Sequence, residues 1–215
     1  MAEVIFDTNV PVVANGLAGQ ASPACVEACI DRLVKSQNED VVLVDDIGLI
    51  FEEYQRYLAH HGQPGPGDAF FKWLWDNQAN EAHCRRVPIT SIHPDPRAFL
   101  EFPDDPRLAA FDASDRKFVA VAIAANTQPI IVNASDTDWW PARYVLAEHG
   151  VTVEFVCPEF WKRLDLSQPW SSVSRGPAPQ LQVPLVARPR NQLSNCRLTN
   201  GRQSVEAHGA PRRPV

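Results

Sequence analysis

Four places in the chain put acids where chemistry could use them. Asp7, followed by Thr8 and Asn9, ends the apolar run Val4-Ile5-Phe6. Glu52 and Glu53 lie a few residues beyond a second apolar run, Val41 to Val44. Asp112 and Asp115 stand before or at the head of a long apolar stretch. Asp136 and Asp138 follow a third apolar run, Ile130 to Val132. Each acid taken singly reads as a turn, a helix cap or a solvated side chain, and Asp45, Asp46, Asp104 and Asp105 are assigned to those roles. The set differs because four successive elements each bring an acid. Carboxylates from several elements suit hard divalent cations such as Mg²⁺ and Mn²⁺, which take oxygen ligands. Such ions polarise phosphoryl oxygens and acidify bound water, which is hydrolytic chemistry.

The acids can meet only if the elements carrying them end at one edge. Continuous apolar runs are the mark of buried parallel strands, and open parallel sheets bind ligands at the carboxyl ends of their strands. Strands are predicted at residues 3–8, 41–44, around Val87-Pro88-Ile89, at 129–132 and at 151–156. Helices are predicted from Ser22-Pro23 to about Lys35, from Ile47 to His60 behind Asp45-Asp46, and from Ala69 to about Asn80. Others follow from Ala113 to Asn126, from Pro141 to His149 and over Pro158–Leu164, with at most one helical turn at Arg97–Glu101. Ser114 or Asp115 is the expected cap of the helix over Ala113 to Asn126. Gly62 to Gly67 reads as a loop. This alternation predicts an α/β fold: a three-layer α/β/α sandwich with a mainly parallel central sheet.

The ordered set Phe6-Asp7-Thr8-Asn9, Glu53-Tyr54, Asp112-Ala113-Ser114-Asp115 and Ile131 to Trp139 resembles the PIN domain family over roughly residues 1–160. It is most similar to the stand-alone bacterial, VapC-like type. The resemblance implies that Asp7, Glu53, Asp115 and Asp136 are the catalytic, metal-holding acids, with Thr8, Asn9, Asp112 and Asp138 in support. It implies an endoribonuclease dependent on Mg²⁺ or Mn²⁺, in which water activated at the metal attacks an RNA phosphodiester in line. It further implies a toxin–antitoxin role, with a cognate antitoxin protein as partner; a homodimer is the other assembly to consider, and the scattered cysteines separately lead to a cytoplasmic expectation. Only one of Glu52 and Glu53 can face the site, because neighbours on a helix point about 100° apart. The sequence departs from the family pattern at Asn133-Ala134-Ser135, which leaves Asp136 against Asp138 open, and in a long aromatic-rich insertion between Gly62 and Pro106.

Charge divides the chain. Residues 1–165 hold 13 Lys and Arg against 25 Asp and Glu, whereas residues 166–215 hold 7 Arg and one acid, Glu206. The acidic body argues against a broad basic surface for gripping nucleic acid. A metal-bearing acidic site reverses the field locally, so a nuclease is not excluded. The division predicts a nuclease-like domain over 1–164 and a Pro/Arg-rich, disordered tail over 165–215. No membrane span and no signal peptide are expected. Cys25 and Cys29 read as buried free thiols on one helix face, in keeping with a reducing compartment. The histidines lack ligand spacing. Core packing is the expected role of Trp73, Trp75, Trp139, Trp140 and Trp161, with only one of the first two facing the core. Two other functions deserve weight. A haloacid-dehalogenase-like phosphatase also opens on an apolar strand and Asp, but needs a second Asp where Asn9 stands, and no lysine stands out. A PIN-like module without catalysis would bind RNA or protein instead.

Overall fold

In the computed structural model, residues 1–61 and 65–157 are described. The helix expected over Pro158–Leu164, the tail 165–215, Trp161 and part of the 62–67 loop lie outside the described residues. Five strands, β1 (Ala2–Phe6), β2 (Asp40–Asp45), β3 (Cys84–Val87), β4 (Ile130–Asn133) and β5 (Thr152–Phe155), form one sheet ordered β3-β2-β1-β4-β5. Every pairing in it is parallel. Helices α1 (Asn9–Ala14), α2 (Pro23–Glu39), α3 (Leu49–Tyr57), α4 (Pro66–Asp76), α5 (Arg116–Ala124) and α6 (Trp139–Glu148) connect them, with a 3₁₀ turn at Pro106–Leu108. The fold is a three-layer α/β sandwich, parallel throughout. Among the described residues no helix is long and apolar enough to cross a membrane.

The strand order decides where a ligand can sit. From β1 the chain moves outward to β2 and β3, then returns to β4 on the other side of β1 and moves outward again to β5. Right-handed crossovers in opposite directions leave helices on opposite faces, and α5 crosses the sheet over β1, β2 and β4. The order reverses between β1 and β4, so the loops leaving their carboxyl ends diverge and open a crevice. Asp7 follows β1, with its amide donating to Val132 O of β4 at 3.0 Å.

Local chemistry explains the elements that position this crevice. Val4, Ile5 and Phe6 of β1, and Ile131 and Val132 of β4, are fully buried, as central parallel strands require. Helix α3 begins where Asp45 accepts from the amides of Leu49 (2.6 Å) and Ile50 (2.8 Å), the capping role expected of it. Ile50, Phe51 and Tyr54 form its buried face, and the Tyr54 hydroxyl donates to Phe6 O at 2.6 Å. That bond fixes α3 to the end of β1. Ser22 caps α2 by accepting from Cys25 N.

Several predicted boundaries move, each for a local reason. Helix α2 continues past its predicted end at about Lys35, through Gln37-Asn38-Glu39. Arg32 donates to Ser36 and Asp40 across its last turns and to Glu154 of β5, so the helix runs straight into β2. Strand β3 precedes the predicted Val87-Pro88-Ile89, because Arg85 pairs with Glu3 and Arg86 donates to Gln78, which lets arginines sit in an edge strand. The Arg97–Glu101 segment makes a bridge between Ser91 and Phe99 rather than a helical turn. Trp139 is fully buried, whereas Trp73, Trp75 and Trp140 are all half-buried. Cys25 is buried but is not a free thiol: it forms a disulfide with Cys157, 132 residues away. No local spacing could have signalled that partner.

Helix α4 starts where Asn15 Oδ1 accepts from Gly67 N at 2.8 Å and Asp68 N at 3.2 Å. A Cβ on Gly67 would stand 1.9 Å from Pro11 O, a backbone atom that cannot turn aside. Gly67→Ala is therefore expected to push α4 from α1 and cost about 2 kcal/mol, within the overpacking range. Denaturant unfolding checks this; an unchanged midpoint would show that α4 is free to shift.

Candidate metal centre

Asp7, Asp115 and Asp136 offer carboxylate oxygens that all lie within 4.8 Å of one another. They come from three places: the end of β1, the head of α5 and the loop after β4. Asp7 and Asp136 are each held by a nearby backbone amide. Asp7 accepts from Asn9 N at 3.0 Å and from Asn133 Nδ2 at 3.2 Å. Asn9 Oδ1 accepts from Ala134 N at 2.8 Å, tying the loop after β1 to the end of β4. Asp136 accepts from Asp138 N at 2.9 Å. Asp115 occupies the cap position of α5, yet its side chain makes no cap hydrogen bond, so the capping role predicted for it is not what its carboxylate does.

Glu53 lines the same cleft but stands apart from the triad. Thr8 Oγ1 donates to its Oε1 at 2.5 Å, and Lys117 Nζ pairs with its Oε2 at 2.6 Å. Glu52, one residue earlier, is exposed. Asp112 is exposed too, and closes a turn by accepting from Ser114 N and Oγ. Asp138 is half-buried and begins α6. The cleft measures about 140 Å³ and is lined also by Val12, Ser114 and Tyr57. A roomier groove of about 620 Å³ runs along Gln78 to Arg86 at β3, but it brings no comparable set of acids together.

Burial dominates the electrostatics. The Asp7 carboxyl is pushed up to about 8, first by burial and next by the charge of Asp136. Burial also raises Asp115 well above the usual carboxylate range, with Asp7 and Asp136 adding to it. Asp136 rises to about 6, again chiefly by burial, against the lowering effect of the Asp138 amide. Carboxyls this close and this dry resist ionising together unless a cation joins them.

The donor set fits a hard divalent ion. It is all oxygen and comes from separate rigid elements. Two buried amide atoms beside it, Asn133 Oδ1 and Asn9 Nδ2, have no hydrogen-bond partner, leaving polar capacity next to the triad. Lys117 is the residue that the sequence reading missed. Its signal was present: it is the one charged residue in the buried run from Lys117 to Ala122, and it is itself only 6% exposed. Asn133, read from sequence only as a departure from a family pattern, holds Asp7. Comparison with family models, with curated proteins and with solved structures finds no match.

Proposed function

We propose that the chain is a metal-dependent endoribonuclease of PIN type, using Mg²⁺ or Mn²⁺ held by Asp7, Asp115 and Asp136. The observation that carries this reading is the convergence of three carboxyls, two buried and one half-buried, from three elements, at the point where the strand order reverses. When bound there, a divalent cation supplies Lewis-acid polarisation of a phosphoryl oxygen and acidification of a water. The chain's own residues do the rest. Asn133 and the Asn9 amide fix the Asp7 carboxylate. Thr8 and Lys117 fix Glu53, whose position beside the triad lets it orient the attacking water or accept its proton. Lys117 balances the Glu53 charge from inside the fold, behind the cleft. Tyr57, 47% exposed at the rim of the cleft, presents a ring on which a base can stack. On this reading the protein works in the cytoplasm on RNA, and a protein partner of antitoxin type would cover the cleft.

The test is direct. Incubated with Mn²⁺, the purified chain is expected to cut single-stranded RNA internally and leave 5′-phosphate ends, and a chelator is expected to reduce cutting to background. Cleavage indifferent to the chelator overturns the reading, as does its absence across varied RNAs. One observation favours a second reading. Lys117, paired with Glu53 and near enough for its charge to act on Asp7, also suits a haloacid-dehalogenase-like phosphatase, although Asn9 still stands where that chemistry needs an acid. Rapid hydrolysis of a phosphomonoester without RNA cleavage would select it.

A further inference from the structure

Away from the acidic cleft, three sulfurs meet between α2 and the segment after β5. Cys25 and Cys29 are one turn apart on α2 and so face the same way. Cys157 reaches them from beyond β5. All three are at most 1% exposed, and their sulfurs lie within 4.8 Å of one another. Cys25 and Cys157 are joined, and Cys29 Sγ lies 3.8 Å from Cys157 Sγ. A disulfide clamp needs two sulfurs; the helix face supplies a third at contact distance. Zinc–sulfur bonds of about 2.3 Å in a tetrahedron set sulfur–sulfur edges of roughly 3.8 Å. The Cys29–Cys157 separation already has that length, and only the Cys25–Cys157 bond must open.

We propose that the reduced trio Cys25, Cys29 and Cys157 is a thiolate site for one thiophilic d¹⁰ cation of the zinc class, and that the Cys25–Cys157 disulfide is its oxidised, metal-free form. Thiolates select such ions, whereas all-oxygen sites select Mg²⁺ and Mn²⁺, so this site and the acidic cleft take different metals. Because its ligands join α2 to the segment after β5, ion binding adds directly to fold stability. Opening the disulfide takes two electrons. A phosphine reductant supplies them and becomes the phosphine oxide; water gives it the oxygen and gives the two sulfurs their protons. The cation then displaces three thiol protons as it binds.

The experiment uses the full chain, reduced with a water-soluble phosphine under anaerobic conditions and titrated with Cd²⁺. Thiolate-to-metal charge-transfer absorbance is the readout. One Cd²⁺ per chain is expected, with a rise in Tm, and a variant with Cys84 and Cys196 both replaced by Ser is expected to behave the same way. Cys29→Ser is expected to weaken Cd²⁺ binding at least tenfold while still forming the Cys25–Cys157 disulfide on oxidation, which shows that it folds. The proposal fails if the reduced chain gives no charge-transfer band. It fails equally if Cys29→Ser leaves the band intact, or if the disulfide cannot be reduced while the chain stays folded.

Discussion

Asp7→Asn is expected to lower Mn²⁺ affinity and RNA cleavage together, each by at least about 100-fold. Residues that merely support metal ligands cost 10–100-fold when changed, and Asp7 is placed as a ligand itself. The same substitution has a second, opposite effect on the metal-free protein. With the Asp7 carboxyl raised to about 8 against an ordinary value of 3.8, the folded chain keeps a proton that the unfolded chain has lost between those values. Stability from this group is therefore full below about pH 4 and is lost as pH rises through about 8. Asp136, raised to about 6, slopes in the same direction. An amide at position 7 cannot ionise, so the variant's metal-free Tm is expected to exceed that of the parent at pH 8 and to vary less between pH 5 and 8.5. Adding Mn²⁺ at pH 8 is expected to raise the parent's Tm and leave that of Asp7→Asn nearly unchanged, because a ligand stabilises only the state it binds. Calorimetry with and without Mn²⁺ at three pH values reads all of this. A variant that cleaves normally, or that loses stability at pH 8, would remove Asp7 from the centre of the site.

The apolar runs at Val4–Phe6, Val41–Val44 and Ile130–Val132 made the parallel sheet legible, because a central strand buried on both faces has one sequence solution. The acids were legible for a related reason: strand ends and helix starts are recognisable, and the parallel order sends them to one edge. Edge strand β3 was harder to place, since it pairs on one side only and satisfies Arg85 and Arg86 through Glu3 and Gln78. Distances across the site were not legible at all. Nothing in the spacing of Glu53 and Lys117, 64 positions apart, says that one ammonium would occupy the Glu53 carboxylate and leave a triad rather than four equal acids. The Cys25–Cys157 bond escaped for the same reason, being set by where β5 delivers the chain.

Lys117→Met tests whether that ammonium is what allows four acids to share a cleft. The Lys117 and Glu53 side chains are 7% and 17% exposed, and they meet at 2.6 Å. Removing one partner of a buried pair leaves an uncompensated charge and costs about 3 kcal/mol or more. Here the stranded Glu53 also faces three other carboxyls, so the metal-free Tm is expected to fall by roughly 6–12 °C, taking a few degrees per kcal/mol for a domain of this size. Adding Glu53→Gln to Lys117→Met is expected to return more than half of that loss, since the amide keeps the Thr8 hydrogen bond without the charge. Recovery by the double variant, larger than the effect of Glu53→Gln alone predicts, measures the coupling of the pair. Mn²⁺ supplies the discriminating arm. In Lys117→Met the Glu53 carboxylate is released toward the triad, so the ion is expected to raise Tm more than it does in the parent, while cleavage falls because Glu53 is no longer held where it can serve the water. Tighter metal with slower cleavage separates Lys117 from the ligands, whose loss weakens both. An unchanged Mn²⁺ response would mean that the Glu53–Lys117 pair is a strut of the fold and that the cation site is complete without it.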